Sequence, residues 1–368
     1  MSVKIHNFCA HPIDRSLTKV VKETIPTGAN LDKYIAALVE LTTKEEDTRQ
    51  FSFAHATTEV RAALTQIRTK NTFDASAETI ASRLHRIEKS IAEKVEHLRG
   101  VQSGMLLQSL FERENKSGIL IAKVDWARFL PRGSYKDSEG IDYKPRLLKA
   151  CLILFSDGDT IDDVQVADTN ATLSAFWWKD FLELEELRTD DFNTKAVFAT
   201  FDTFLGSKTR SKHPADYAHL FNHMLGIFKR TRRFSFKPFV SEVFDGYQAT
   251  DLKLDVQQLK QDALNLINTK KFDGTFNLNP KVITKRFKRT YELTDEIELQ
   301  ISDSIENLAS TVYGLNLNDG TKGVFVKSDK GYQLFHRPAT TQNQQKTSTV
   351  ATVKKVTEQA PNKVHQSN

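Results

Sequence analysis

Residues 105–126 read MLLQSLF-ERENKSG-ILIAKVDW, which is two apolar runs separated by a short polar stretch. This pattern predicts a β-hairpin whose turn contains Gly118. A further run, Leu147–Phe155, is apolar almost throughout and is typical of a central strand buried on both faces. Val164 and Val166 predict another strand after an acidic turn. These segments together predict a β-sheet in the N-terminal half of the chain.

On the N-terminal side of this hairpin, the spacing of apolar residues predicts one strand and two helices. The strand is expected at Val3–Ala10, followed by the turn formers Pro12 and Asp14. Apolar residues at helical spacing predict helices near 31–41 and 79–98. We therefore expect residues 1–170 to form a mixed α/β domain.

Beyond residue 170 the periodicity becomes helical. It predicts helices at Phe192–Leu205, Pro214–Lys229 and Leu254–Ile267. Pro214 suits a first helical turn, because the N–H that proline lacks would be unpaired there. These helices predict a helical domain over residues 171–270.

Residues 271–336 have the pattern of a β-rich C-terminal unit. Apolar and polar residues alternate over Tyr291–Ile301, and two turn sequences separate expected strands at 312–317, 324–327 and 332–335. This arrangement predicts a β-meander.

The last segment, 337–368, is rich in Thr, Gln and Lys and has no Phe, Tyr or Trp. Such a composition cannot bury enough apolar surface to offset the entropy of ordering, so we predict a disordered basic tail. The predicted fold class is α+β, with a mixed N-terminal α/β domain, a helical middle, a β-meander C-terminal unit and this tail.

Composition limits the class of protein. The 368-residue chain has a formal net charge of +5, and 39% of its residues are hydrophobic. Cys9 and Cys151 are its two cysteines, too few for a disulfide framework and in no metal-binding pattern. No signal-peptide pattern is present, and no apolar run reaches the about 18 residues of a membrane span. We therefore predict a cytoplasmic protein with no membrane partner and no cofactor.

The main functional prediction comes from residues 226–239, GIFKRTRRFSFKPF, in which cations alternate with phenylalanines. Cations can neutralise phosphates, and exposed aromatic rings can stack on unpaired bases. The segment therefore favours a surface that binds a polyanion. Two other interpretations stay open: the cations contact an acidic protein or a membrane surface, or they only complement a helix end while the phenylalanines fill the core.

Two further basic segments strengthen this prediction. Residues 281–289 place cations at helical spacing, with Ile283 and Phe287 expected to face inward, and a third group occupies the loop 208–212. Together the three segments could form one phosphate-binding track, or they could be three unconnected solvated faces. The candidate nucleic-acid contacts are Lys208, Arg210, Lys229, Arg230, Arg232, Arg233, Lys237, Lys281, Lys285, Arg286, Lys288 and Arg289.

Metal and catalytic patterns are weak. Asp216, His219 and His223 share a predicted helix with His213 nearby, but the spacing lacks the general base of a metalloprotease. The acidic run Asp157, Asp159, Asp162 and Asp163 does not complete a calcium loop. Asp125, Asp142 and Lys144 resemble the acid–acid–lysine set of Mg²⁺-dependent nucleases. We predict no metal and no catalytic residues, and an enzyme is the less favoured interpretation.

The order of segments resembles the bacterial nucleoid-associated NdpA family. The resemblance rests on the opening strand 3–11, the Phe51-Ser-Phe53 segment, the hairpin 105–126 and the Phe204-Leu-Gly206 stretch in the helical half. It covers about residues 1–335 and is one of arrangement more than of identities. It implies association with DNA in the cytoplasm, in the nucleoid, and it implies no catalytic residues. Separately, we expect the DNA partner to be double-stranded.

Two alternatives to a DNA-binding protein are kept. One is the Mg²⁺-dependent nuclease described above. The other is a protein-interaction subunit of a DNA-maintenance or anti-phage defence complex. A protein partner and self-association into a homo-oligomer are both compatible with the sequence.

Overall fold

The computed structural model describes residues 3–24, 28–43, 48–70, 72–94, 103–129, 138–141, 149–156, 160–168, 173–269 and 271–336. The chain divides into two compact units, one ending at Leu308 and the other beginning at Ala309. The tail predicted at 337–368 lies outside the described residues. Helices and strands both contribute to the first unit, which confirms the α+β class.

An antiparallel sheet organises the N-terminal half. Its strands are β1 (Val3–Ile13), β2 (Arg49–Phe53), β3 (Gly104–Arg113), β4 (Lys116–Phe129), β5 (Ser138–Ile141), β6 (Lys149–Phe155), β7 (Ile161–Asp168) and β8 (Leu184–Glu186). They follow the order β1-β3-β4-β6-β7-β2-β8, and β5 pairs with the far end of β4. The predicted central strand is confirmed, because β6 lies inside the sheet and six of its seven residues are buried.

The hairpin β3–β4 is present, but its turn differs from the prediction. Glu114 and Asn115 form the turn, with positive φ angles of 53° and 63°. Gly118 lies within β4, opposite Phe111 on β3. The glycine therefore leaves room for the Phe111 ring and is not part of the turn.

Helices cover both faces of the sheet. Strand β4 shows why, because Ile119 and Ile121 enter one core while Leu120 and Ala122 enter another. The first face packs against α2 (Glu59–Lys70), α3 (Phe73–Lys94) and a π-helix at Phe176–Phe181. The second face packs against α1 (Ala29–Thr42).

The helical region that follows has its own phenylalanine-rich core. It contains α4 (Asp190–Thr209), α5 (Pro214–Arg230), α6 (Phe236–Phe244), α7 (Val256–Leu264) and two 3₁₀ helices at Asn265–Thr269 and Pro280–Arg286. A short ladder of β9 (Arg233–Ser235) and β10 (Thr275–Asn277) crosses it. The predicted start of α5 is confirmed, with Pro214 in its first turn.

The C-terminal β-meander is replaced by two separate hairpins. One is formed by β11 (Arg289–Thr294) and β12 (Ile297–Ile301), and the other by β13 (Val312–Asn316) and β14 (Lys322–Val326), with a helical turn α8 (Leu308–Thr311) between them.

The strand predicted at 332–335 is wrong, because these residues belong to the helix α9 (Asp329–Phe335). The Ser328 hydroxyl accepts a hydrogen bond from the Gly331 N–H and caps this helix. The same residue types favour a turn and a helix start, which explains the error.

The predicted domain limits near residues 170 and 270 stay predictions. None of the helices in the described part of the chain is both long and apolar enough to cross a membrane.

Candidate nucleic-acid interface

Two of the three predicted basic segments are neighbours in the fold. Strands β9 and β10 pair antiparallel, with Phe234 opposite Phe276. Beyond the ladder, the Leu278 N–H donates to the Arg232 carbonyl oxygen at 2.8 Å. This hydrogen bond places Arg232 beside the segment that leads into the 3₁₀ helix at Pro280.

The segment of that 3₁₀ helix contains both buried apolar residues and exposed cations. Ile283 and Phe287 are buried in the helical core, as predicted. Pro280 and the β-branched residues Val282, Ile283 and Thr284 disfavour a regular α-helix here. The helix ends at Arg286, so the expected α-helical stripe through Arg289 is wrong, and Arg289 instead begins β11.

The stretch between Asp273 and Glu292 contains no acidic residue. Its exposed cations make no ion pair with any other described residue. The same holds for Arg232, which is also exposed. We call this set the cationic surface; it consists of Arg232, Lys281, Lys285, Arg286 and Lys288.

Four other cations that were candidate contacts form ion pairs with acidic side chains. Their pairs are Lys208 with Asp262 at 2.6 Å, Lys229 with Asp303 at 2.7 Å, Arg289 with Asp202 at 2.6 Å, and Arg230 with Glu242. Arg289 also lies over the Phe221 ring, 3.9 Å from its centroid. Local positive charge is therefore balanced at each of these positions.

The remaining three candidate residues already interact with other groups of the protein. Arg210 donates to the Tyr217 hydroxyl at 2.5 Å and stacks over its ring, and this bond raises the pKa of the guanidinium. Arg233 is half-buried and donates to the Thr275 hydroxyl at 3.3 Å, while burial lowers its pKa. Lys237 is exposed and also has an interaction within the chain.

The base-stacking part of the prediction is wrong. Phe228, Phe234, Phe236 and Phe239 are all buried in the helical core. Phe234 stacks on Phe276 with ring centroids 4.7 Å apart, and Phe228 packs edge-on to Phe239. Cations pointing outward and rings pointing inward produce the same alternating sequence as an aromatic binding surface. The rings at this segment therefore have no free face for a base.

A small polar cavity is lined in part by Arg233, the residue that follows Arg232 in the sequence. Its volume is about 130 Å³, and it lies between the sheet and the β9–β10 ladder. The lining includes Arg49, Trp178, Glu186 and Asn277. Burial raises the pKa of the Glu186 carboxyl. No sequence pattern indicated these residues, because they come from segments far apart in the chain.

The described residues contain no cluster of three side chains suited to a metal ion. Asp216 is instead buried and accepts hydrogen bonds from the Tyr247 hydroxyl and the Thr250 N–H, while His213 pairs with Asp251 at 2.8 Å. These groups hold the start of α5 to the loop that follows α6.

The nuclease and calcium patterns cannot be assembled from the described residues. Asp125 lies on β4, whereas Asp142 and Lys144 lie outside the described residues. Asp157 and Asp159 are also outside them, and Asp162 and Asp163 lie on β7.

No family model and no curated protein matches this chain. The resemblance to the NdpA family accordingly stays a prediction.

Proposed function

We propose that this protein binds duplex DNA without marked sequence preference, through phosphate contacts made by the cationic surface. The observation that carries the proposal is the acid-free segment 280–288, which exposes four cations without an ion-pair partner among the described residues. The bond from Leu278 to Arg232 adds a fifth cation beside it. The nucleoid-associated role implied by the NdpA resemblance is part of this proposal.

Physical chemistry favours phosphate contacts over base recognition. Exposed lysine and arginine side chains close together match the high charge density of a duplex and release its condensed counterions. Contacts of this kind position a protein on DNA without reading its sequence. The buried phenylalanines remove the stacking on which binding of single strands commonly depends. Duplex DNA is therefore the ligand that fits best.

The proposal predicts a steep salt dependence. Five phosphate contacts should weaken the binding of a labelled duplex by about 500-fold between ~50 and ~200 mM salt, measured by fluorescence anisotropy. The variant Lys281→Gln/Lys285→Gln/Lys288→Gln retains two of the five cations. Its affinity should fall by only about tenfold over the same salt range.

A matched control removes the same number of charges elsewhere. Lys208→Gln/Lys229→Gln/Arg230→Gln neutralises three cations that are already paired with acids, and it should keep the steep salt dependence. An equal loss of slope in both triple variants would mean that only net charge matters, and the assigned surface would be wrong. Absence of binding at ~50 mM salt would remove the DNA-binding function itself.

A further inference from the structure

The unit that begins at Ala309 exposes an unusual amount of apolar surface for its size. Val324 on β14 is 48% exposed, and Phe335 on α9 is 84% exposed. Tyr313 and Phe325 are exposed as well and pack against each other, with ring centroids 5.1 Å apart. Helix α9 has no buried residue. A two-stranded hairpin is only marginally stable in water. Contact of a partner with these apolar side chains would therefore stabilise the unit.

The hydrogen bonds of the hairpin show which backbone groups face outward. The Leu317 N–H donates to Thr321, and the Lys327 N–H donates to Thr311, each at 2.8 Å. In an antiparallel ladder the bonded pairs alternate, so 313–325 and 315–323 are bonded pairs as well. The N–H and C=O groups of Val312, Gly314 and Asn316 therefore point away from β14, along the open edge of β13.

This edge lacks the features that usually prevent pairing with another strand. Strand β13 reads VYGLN, without a charge, a proline or a bulge. Strand β14 begins with Lys322 and is followed by Lys327, which protect its own edge. Natural sheets use lysines, prolines and bulges for this protection. The open edge of β13 is thus the favoured side for adding a strand.

We infer that β13 pairs with β13 of a second copy of this chain, in an antiparallel four-stranded sheet with its two-fold axis at Gly314. In this register the outward groups of Gly314 bond to Gly314 of the other copy, and Val312 bonds to Asn316. Tyr313 then lies opposite Leu315 of the other copy in a non-bonded pair, where the Cα atoms are about 4.5 Å apart and the side chains are close. Aromatic–aliphatic pairs of this kind stabilise sheets.

Three properties of the chain favour a second copy over another occupant. In the two-fold register Tyr313 of each copy meets Leu315 of the other, so both copies cover apolar side chains at once. Residues 309–336 contain two aspartates and three lysines, so two copies do not repel strongly. Residues 337–368 contain no Phe, Tyr or Trp with which to cover Tyr313 and Phe325.

The register gives a direct cross-linking test. A bonded antiparallel pair has Cα atoms about 5.5 Å apart, which a disulfide can bridge. The variant Gly314→Cys should therefore form a covalent dimer under mild oxidation, seen on a non-reducing gel. The native Cys9 and Cys151 are both buried and should not interfere. The control Val324→Cys occupies the opposite edge of the same hairpin and should stay monomeric.

A second measurement covers the unmodified chain. Sedimentation of the full-length protein should show a shift from 41.8 kDa to twice that mass as its concentration rises about a hundredfold. Gly314→Pro removes only an outward N–H and should shift this equilibrium to the monomer, whereas Val324→Pro should leave it unchanged. Failure of a folded Gly314→Cys protein to cross-link would overturn the proposal, as would cross-linking by Val324→Cys instead or a wild-type monomer at every concentration.

Discussion

Gly118 on β4 is in close contact with the Phe111 side chain on β3. A Cβ atom at this position would lie 2.5 Å from the Phe111 ring and 3.0 Å from the Ile153 carbonyl oxygen. The Phe111 ring is fully buried between α1 and the sheet, so it has little room to move. Gly118→Ala should therefore destabilise the protein by about 1–3 kcal/mol, measured as a lower urea midpoint with an unchanged slope.

The matched control is a glycine with open space. At Gly226 in α5, the nearest group to a new Cβ is the end of the flexible Arg230 side chain, 3.5 Å away. Alanine favours a helix interior over glycine, so Gly226→Ala should stabilise the fold by about 0.5–1 kcal/mol. Equal stability of the two variants would show that the contact between Phe111 and Gly118 is not tight.

At the residue scale, the sequence predicts which segments form strands and helices better than it predicts which side chains are buried. The hairpin 105–126 follows from local alternation, and its existence is confirmed. The direction of Phe234 and Phe236 depends on Phe272 and Phe276, which lie some forty residues away on the far side of the ladder. The periodicity of one segment contains no information about a partner so far away in the sequence. The pattern therefore favours exposed rings at positions where the structure has buried ones.

At the scale of elements, helix α4 depends on a defined cap. The Thr189 hydroxyl accepts a hydrogen bond from the Phe192 N–H at 3.2 Å, which satisfies one of the free donors of the first turn. Thr189→Ala should lower the free energy of unfolding by about 1 kcal/mol, measured by urea denaturation. Ser235 stands at the same position of α6 without a side-chain cap. Ser235→Ala should cost much less, and a similar loss in both would contradict the assigned role of the Thr189 hydroxyl.

Elements with a long periodic pattern could be predicted, whereas short ones could not. The helix predicted at 214–229 is confirmed, and its long pattern made it predictable: seven buried apolar residues share one side over about three turns. The 3₁₀ helix at Pro280–Arg286 and the helix α9 are each seven residues long. Over that length a strand, a turn and a helix fit the same residues, so tertiary contacts and caps decide between them. Three of the five cations of the cationic surface, Lys281, Lys285 and Arg286, lie on such a short element. Its acid-free stretch was visible in the sequence, but the state of each ion pair was not.

At the scale of the whole molecule, a buried arginine joins the sheet to the helical core of the first unit. Arg49 on β2 contacts Glu186 on β8 at 3.1 Å, Asp190 on α4 at 3.0 Å and Asp273 beside β10 at 3.8 Å. Arg188 also pairs with Asp273 at 2.9 Å. These residues are up to 224 positions apart in the sequence, so no local pattern predicts them.

Loss of Arg49 should leave this group of acids without its central cation. We expect Arg49→Ala to destabilise the fold by about 3–5 kcal/mol at neutral pH, since the partly buried Glu186 and Asp190 lose their partner and Asp273 keeps only Arg188. Burial already raises the pKa of Asp273 and Glu186, so each favours its neutral form in the folded state more than in the unfolded chain. A raised pKa in the folded state gives stability that is lost as pH rises, so acidification should restore part of the loss.

The measurement is urea denaturation of wild type and variant at two pH values. The difference between them should shrink as pH falls from about 7 to about 5, because Asp273 and Glu186 take up protons in the variant. Arg86→Ala is the control, since Arg86 is 60% exposed and bonds only to Glu59 among the described residues, so its loss should cost under about 1 kcal/mol at either pH. If the loss of unfolding free energy in Arg49→Ala does not change with pH, lost packing accounts for it and the uncompensated charge of the acids does not. In that case the arginine would join the two cores through its contacts alone.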